Sequence, residues 1–271
     1  MALIRVYHLI LLCLLLPFSA SADDPIGHYC ANPFANAGDT QARINTVLSD
    51  LVAHASVGGF ATSSSGRAAT TTIYGLAQCR SDVSSQDCSA CLQDAAKALP
   101  AACPHQADAR IWYDYCFLRY DDENFIGKSD TGYSIILYNV ENVTGDGDAF
   151  DAAVGGVMRK ARAAAVAPGS GGLGRETTAF SPYVTIYGLA QCTRDIGGLA
   201  CAQCMASAVE RFADFCVHRK GCRVLYSSCM VRYEIYPFFF PIDSKRSSSG
   251  GSNSIKREDE VGSYSMVILS P

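Results

Sequence analysis

The sequence predicts an α+β protein made of two tandem small domains, each with two helices packed on an antiparallel sheet. Three observations predict it. The heptapeptide Ile73–Cys79 returns unchanged at Ile186–Cys192, and the same offset of 113 carries Cys79, Cys88, Cys91, Cys103 and Cys116 onto Cys192, Cys201, Cys204, Cys216 and Cys229. Apolar residues around Cys88 and again around Cys201 recur at helical spacing. Arg110–Tyr120 and Arg223–Tyr236 are rich in aromatic and β-branched residues and read as strands.

The chain opens with Arg5, an apolar run from Leu9 to Leu16 and the small-residue end Ser19–Ala22. This pattern is a secretory signal peptide over residues 1–22, since the run falls short of the ~20 residues that span a bilayer. Its removal leaves a net charge of −5 and twelve cysteines. An even cysteine count in an exported chain reads as a disulfide framework. No other stretch is long and apolar enough to form a transmembrane segment, and no Lys/Arg run suits nucleic-acid binding. The expected location is secreted and extracellular.

The first domain is expected over residues 23–129. A helix near Thr40–Ala55 turns Ile44, Val47, Leu48 and Leu51 inward. A second follows around Cys88, with Cys91, Leu92, Ala95 and Leu99 on its stripe and Asp87 or Ser85 as its cap. Cysteines at i and i+3 share a helix face, so Cys88 and Cys91 can each staple the helix to a different neighbour. The linker lies near Gly127–Thr131, and the second domain covers 130–241. Its helices are expected near Phe150–Ala164 and around Cys201, Cys204, Met205, Ala208 and Phe212. Ala163–Pro182 reads as a long loop, and residues 242–271, with a Ser/Gly run and then Lys256–Glu260, as a disordered tail.

The repeat constrains the disulfides. Five cysteines are shared, and each unit has one private cysteine, Cys30 in the first and Cys222 in the second. Cys216 is the natural partner of Cys222, only six positions away, which gives its counterpart Cys103 to Cys30. Cys79, Cys88, Cys91 and Cys116 are left to form two bonds.

The candidate chemistry is sparse. The Cys-x-x-Cys spacings at Cys88/Cys91 and Cys201/Cys204 allow a thiol oxidoreductase or a zinc site, but the regularity of all the other cysteines favours structural bonds. There is no His-Glu-x-x-His, Gly-x-Ser-x-Gly or Gly-rich phosphate loop, so the chain reads as a non-enzyme with no cofactor and no metal. The histidines His28, His54, His105 and His218 read as unrelated surface groups. Asn142-Val143-Thr144 is a glycosylation sequon in a polar segment. Arg110 and Arg223 each precede the last cysteine of their unit by six residues. In a continuous strand this puts Arg and Cys on one face, either as a clamp for a polar ligand or as part of an ion pair.

The spacing Cys-x8-Cys-x2-Cys at Cys79/Cys88/Cys91 and Cys192/Cys201/Cys204 resembles the ginkbilobin-homologous domain of plants. Tyr-Gly-Leu-Ala-Gln precedes each first Cys, and Cys-x3-Tyr follows. Two such domains behind a signal peptide resemble a cysteine-rich repeat secretory protein, related to ectodomains of cysteine-rich receptor-like kinases and to plasmodesmata-located proteins. The resemblance implies a five-stranded antiparallel sheet with two helices per domain, cross-linked by three disulfides. The implied pairs are Cys30–Cys103, Cys79–Cys88 and Cys91–Cys116, then Cys192–Cys201, Cys204–Cys229 and Cys216–Cys222. It also implies a secreted plant defence or signalling protein whose partner is an extracellular protein, a receptor-kinase ectodomain among them, or a cell-wall glycan. An antifungal lectin of the family binds mannose through an Asn, an Arg and a Glu. The matching positions are Ala31, Arg110 and Asp121 in the first unit and Arg223 and Glu234 in the second, which lacks the Asn position. A single straight strand holds Arg223 and Glu234 ~36 Å apart on opposite faces, so the site requires a bend between them.

Overall fold

A computed structural model describes residues 24–34, 37–66, 71–240 and 263–270. The expected signal peptide and residues 242–262 of the expected tail lie outside the described residues. The first unit comprises β1 (Gly27–Pro33), α1 (Ala37–Gly58), β2 (Phe60–Ser65), β3 (Ile73–Cys79), α2 (Ser85–Ala102), β4 (Gln106–Trp112) and β5 (Cys116–Asp121). The second comprises β6 (Ser134–Asn139), α3 (Gly147–Ala165), β7 (Leu173–Ser181), β8 (Val184–Cys192), α4 (Gly198–Glu210), a one-turn α5 (Phe212–Phe215), β9 (Gly221–Leu225) and β10 (Cys229–Glu234). A last strand, β11, spans Tyr264–Leu269.

Both sheets are antiparallel. The first runs β1-β4-β5-β3-β2 and the second β11-β6-β9-β10-β8-β7. The five-stranded expectation therefore holds for the first unit and is corrected in the second, where a sixth strand is added at the edge. That strand comes from the stretch expected as a disordered tail. Its Tyr-Ser-Met-Val-Ile-Leu sequence is uncharged and β-prone, and composition alone had merged it with the polar run before it. The long-loop reading of Ala163–Pro182 is corrected in the same way, because Leu173–Ser181, in its second half, pairs with β8.

Each helix forms for a local reason. Ile44, Val47, Leu48, Leu51 and Ala55 make a buried stripe on α1. The cap of α2 is Ser84, one residue earlier than expected. Its hydroxyl accepts from the Asp87 amide at 3.1 Å and donates to the Asp87 carboxylate at 2.6 Å. Asp146 caps α3 in the same manner, accepting from the Ala149 amide at 2.9 Å. The helices of each unit lie on one face of its sheet.

All six expected disulfides are present. Cys88 and Cys91, on one helix face, bond to β3 and β5 respectively, and Cys201 and Cys204 repeat this on β8 and β10. The repeated heptapeptide now has a physical account. Ile73, Ala77 and Cys79 face the helices, and Gly75 lies under α1, where a Cβ would collide with Val47 and Leu51. Its equivalent Gly188 lies under Val157 and Met158 of α3.

The other faces of the two sheets confront each other across a seam. Trp112, Tyr133, Ile135 and Leu225 are its buried apolar centre, with Leu173, Leu189 and Phe238 at one side. The contacts exchange in repeat-related pairs. The Gln78 amide donates to the Cys192 carbonyl at 2.8 Å, and Gln191 donates to the Cys79 carbonyl at 3.1 Å. A small cavity of about 50 Å³ is lined by both glutamines together with the two hairpin turns. Trp112 Nε1 donates to the Tyr226 carbonyl at 3.2 Å.

Replacing Cys91 and Cys116 together by Ala is expected to lower unfolding free energy by about 2–4 kcal/mol. Denaturant titration of the variant with its other five bonds intact checks this.

Candidate functional site

The site residues sit on the seam faces. Arg110–Tyr120 is two strands, not one, because the turn at residues 113–115 folds β4 back on β5. The same happens between β9 and β10. This corrects the continuous-strand reading twice. Arg110 faces the seam while Cys116 faces the helices, so they do not share a face. The folding back also supplies the required bend: Arg223 is cross-strand from Arg232, and Glu234 is cross-strand from Gly221, two residues along.

In the first unit the resemblance-implied residues come together. Ala31 is opposite Asp108, Arg110 is opposite Arg119, and Asp121 lies beside Asp108 on the next strand. Both terminal nitrogens of the Arg110 guanidinium are nevertheless engaged, while its buried Nε has no hydrogen-bond partner among the described residues. The guanidinium donates to both carboxylate oxygens of Asp108 at 3.0 and 2.7 Å, to Asp130 at 2.7 Å and to the Ser227 hydroxyl at 2.7 Å. It also lies 4.8 Å from the centre of the Tyr29 ring. Arg119 donates to Asp121 at 2.7 Å and to Asp130 at 2.8 Å, and stacks 4.0 Å over Phe125. Two adjacent guanidinium groups would repel, and the interleaved carboxylates of Asp108, Asp121 and Asp130 neutralise them.

The second unit repeats the plan with different counter-charges. Arg223 pairs with Asp114, which comes from the first unit's hairpin turn. Arg232 donates to Glu234 at 2.9 Å and lies 4.3 Å over Phe238, the repeat equivalent of Phe125. Glu234 also accepts from Tyr264 of β11 at 2.6 Å. Arg110, Arg119, Arg223 and Arg232 are all only 3–6 % exposed. The first cluster is thus closed by the linker residue Asp130, and the second by Asp114 from the first unit's hairpin turn and by Tyr264 from the added edge strand of its own sheet.

Electrostatics follow burial and partners. Burial pushes the Asp130 carboxyl up, but Arg110 and Arg119 outweigh it and hold the group below the ordinary range. Burial likewise opposes ionisation of Asp114, yet Arg223 and Arg232 pull it down to about 2. Asp108 and Glu234 are raised, because desolvation exceeds what their arginines return.

Sequence reasoning found Arg110, Asp121, Arg223 and Glu234 but missed Asp108, Asp130, Asp114 and Tyr264. Arg119 and Arg232 carried a signal, since the repeat places Arg119-Tyr120 onto Arg232-Tyr233. The histidine reading is also corrected. His105 and His218 are separated by the repeat offset, and both adopt left-handed backbone with φ of 60°. Their carbonyls accept from Phe34 and Val143, so the equivalence belongs to a turn that ties the helix end to a neighbouring segment. Asn142 and Thr144 are exposed.

Comparison with known proteins places this geometry. The salt stress response/antifungal family matches residues 29–123 and 139–236. Cysteine-rich repeat secretory protein 55 of Arabidopsis thaliana is 47 % identical over 264 residues, covering 96 % of this chain and 97 % of that protein. The antimicrobial ginkbilobin-2-like protein of Castanea crenata is 34 % identical over 220 residues, covering 79 % of this chain and 89 % of that one. The crystal structure of the tandem DUF26 ectodomain of the Arabidopsis cysteine-rich receptor-like protein PDLP8 matches with a TM-score of 0.68 at 26 % identity, over 79 % of this chain and 98 % of that one.

Two outcomes are expected. Arg110→Ala strands buried carboxylates and should cost about 3–5 kcal/mol of stability, read by denaturant unfolding. Asp114, lowered from 3.8 to about 2, stabilises the fold above pH ~4 and loses that contribution as pH falls towards 2. Asp114→Asn should therefore lower stability near pH 7 by about 2 kcal/mol, with the gap to the parent closing across that window. Asp108 and Glu234 carry the opposite sign in both proteins and cancel from the difference.

Proposed function

The chain belongs to the salt stress response/antifungal family of cysteine-rich repeat proteins, and from that premise we propose that it is a non-catalytic extracellular recognition protein. It acts in the plant apoplast in signalling or defence and binds a protein or a glycan. A receptor-kinase ectodomain built like this chain is the candidate protein partner.

One observation carries this reading. All twelve cysteines from Cys30 onward are joined in six disulfides, and the four seam arginines are engaged with internal partners. The thiols that a redox or zinc site needs are bonded to one another. Rigid covalent bracing favours a preformed recognition surface, because little ordering entropy remains to be lost on binding. Among the described residues no helix is long and apolar enough to cross a membrane. The exposed Asn142 suits an N-linked glycan in this compartment.

The alternative, an antifungal mannose lectin, has one feature in its favour: the hairpins bring Arg110 and Asp121 onto one face, and Arg223 and Glu234 onto another. Against it, Ala31 offers no amide, and both arginines already hold carboxylates. Mannan and mannose titrations separate the two readings. No binding is expected at millimolar sugar, and saturable mannose binding would replace the recognition reading with the lectin one. The direct test immobilises the oxidised two-domain protein, exposes it to extracellular fluid and titrates each captured species. Reversible binding to the oxidised but not the reduced protein supports the proposal; free or catalytically labile thiols in the native protein defeat it.

A further inference from the structure

Strand β11 is an addition to the repeated unit. By position in the sheet, β6 corresponds to β1, yet only β6 carries an outer neighbour among the described residues. The register runs from Tyr264 opposite Asn139 to Leu269 opposite Ser134, and the Val140 amide donates to the Ser263 carbonyl at 2.9 Å. Residues 241–262 separate this strand from the second unit in sequence.

Its side chains are read on both faces. Val267 and Leu269 pack against the core on the helix side. Tyr264 points the other way, donating to Glu234 at 2.6 Å and lying 3.1 Å from the Tyr236 hydroxyl, which itself accepts from Arg232 at 2.9 Å. Gly221 leaves the room for this, since a Cβ there would collide with Glu234 and sit 3.0 Å from the Tyr264 oxygen. The outcome is a hydroxyl seat at one end of a strand-accepting edge, with apolar footholds three and five residues on.

We propose that the outer edge of β6 is a peptide-docking site. It takes an extended segment of pattern Tyr-x-x-apolar-x-apolar by strand addition, and the chain's own β11 holds it closed in cis. Main-chain pairing supplies affinity in such a mode, and the alternate side chains supply selectivity. Because β11 belongs to the same chain it competes intramolecularly for this edge, so an outside segment binds when β11 is displaced or removed. This goes beyond the recognition reading above: its hydroxyl seat is the Glu234 end of the second seam cluster, and its apolar footholds lie on the helix side of the sheet.

The test uses a fluorescent synthetic peptide of residues 263–271 and anisotropy. It compares the full chain with a chain ending at residue 262, whose fold is verified by its six disulfides and circular dichroism. Saturable binding to the shortened chain is expected, with at least about tenfold weaker binding to the full chain. The Tyr264→Phe peptide should bind about tenfold more weakly, because it lacks a hydrogen bond to a carboxylate, and the Val267→Asp peptide should not bind. A folded shortened chain that ignores the peptide, or equal binding of the Tyr264→Phe peptide, overturns the proposal. Should the shortened chain not fold, hydrogen exchange on the full chain decides. Tyr264→Phe should speed exchange of the amides of 264–269 several-fold, and unchanged exchange defeats the docking seat.

Discussion

Four guanidinium groups buried between two sheets are the constraint on which the remainder of this molecule is arranged. A cation removed from water is tolerated only where carboxylates and hydrogen-bond acceptors surround it. Asp108 and Asp121 meet that need from within the first sheet, and Asp130 from the linker. The second sheet lacks an acid at the position of Asp108, because Gly221 stands there, so it draws on Asp114 across the seam. The linker path and the hairpin turns are thereby fixed by charge, while Trp112, Ile135 and Leu225 supply the dry surroundings that give those charges their strength. The sulfur bridges act on the other side of each sheet, so covalent and electrostatic bracing divide between the two faces.

Much of this was legible from the chain alone. Identical spacing in two copies exposed the duplication, and a leftover cysteine in each copy pointed to its partner. These signals survive because they depend on sequence separation. What was lost depended on parity and on contacts between units. Tyr113-Asp114-Tyr115 carries no Gly or Pro, so the stretch from Arg110 to Tyr120 read as one strand, and every inference about faces within it was inverted. Strands β2 and β7, rich in Ser, Thr and Ala, have the composition of loops. Asp130 and Asp114 had no local mark, since their importance comes from arginines 11 to 109 residues away.

The same geometry shows how residues placed like ligand contacts can serve as internal braces. Arg110 and Asp121, which the family resemblance singles out, lie on one face of the first sheet. The space between them is filled by Asp108 and Asp130, and Ala31 takes the place of an amide. A side chain aligned with a ligand contact is here a strut. Selection on such a position would track stability, and the surfaces free to vary with the ligand are the helix faces, the loops and the sheet edges.

The seam also sets a condition on biosynthesis. Translation proceeds at ~5–20 residues per second, so the first unit emerges roughly ten seconds before the strands that cover it. Throughout that interval Trp112, Arg110 and Arg119 stand on a sheet covered only by linker residues such as Phe125, Asp130 and Tyr133. Until the other half arrives, that face of the first unit keeps apolar surface open, so the two halves complete their burial together.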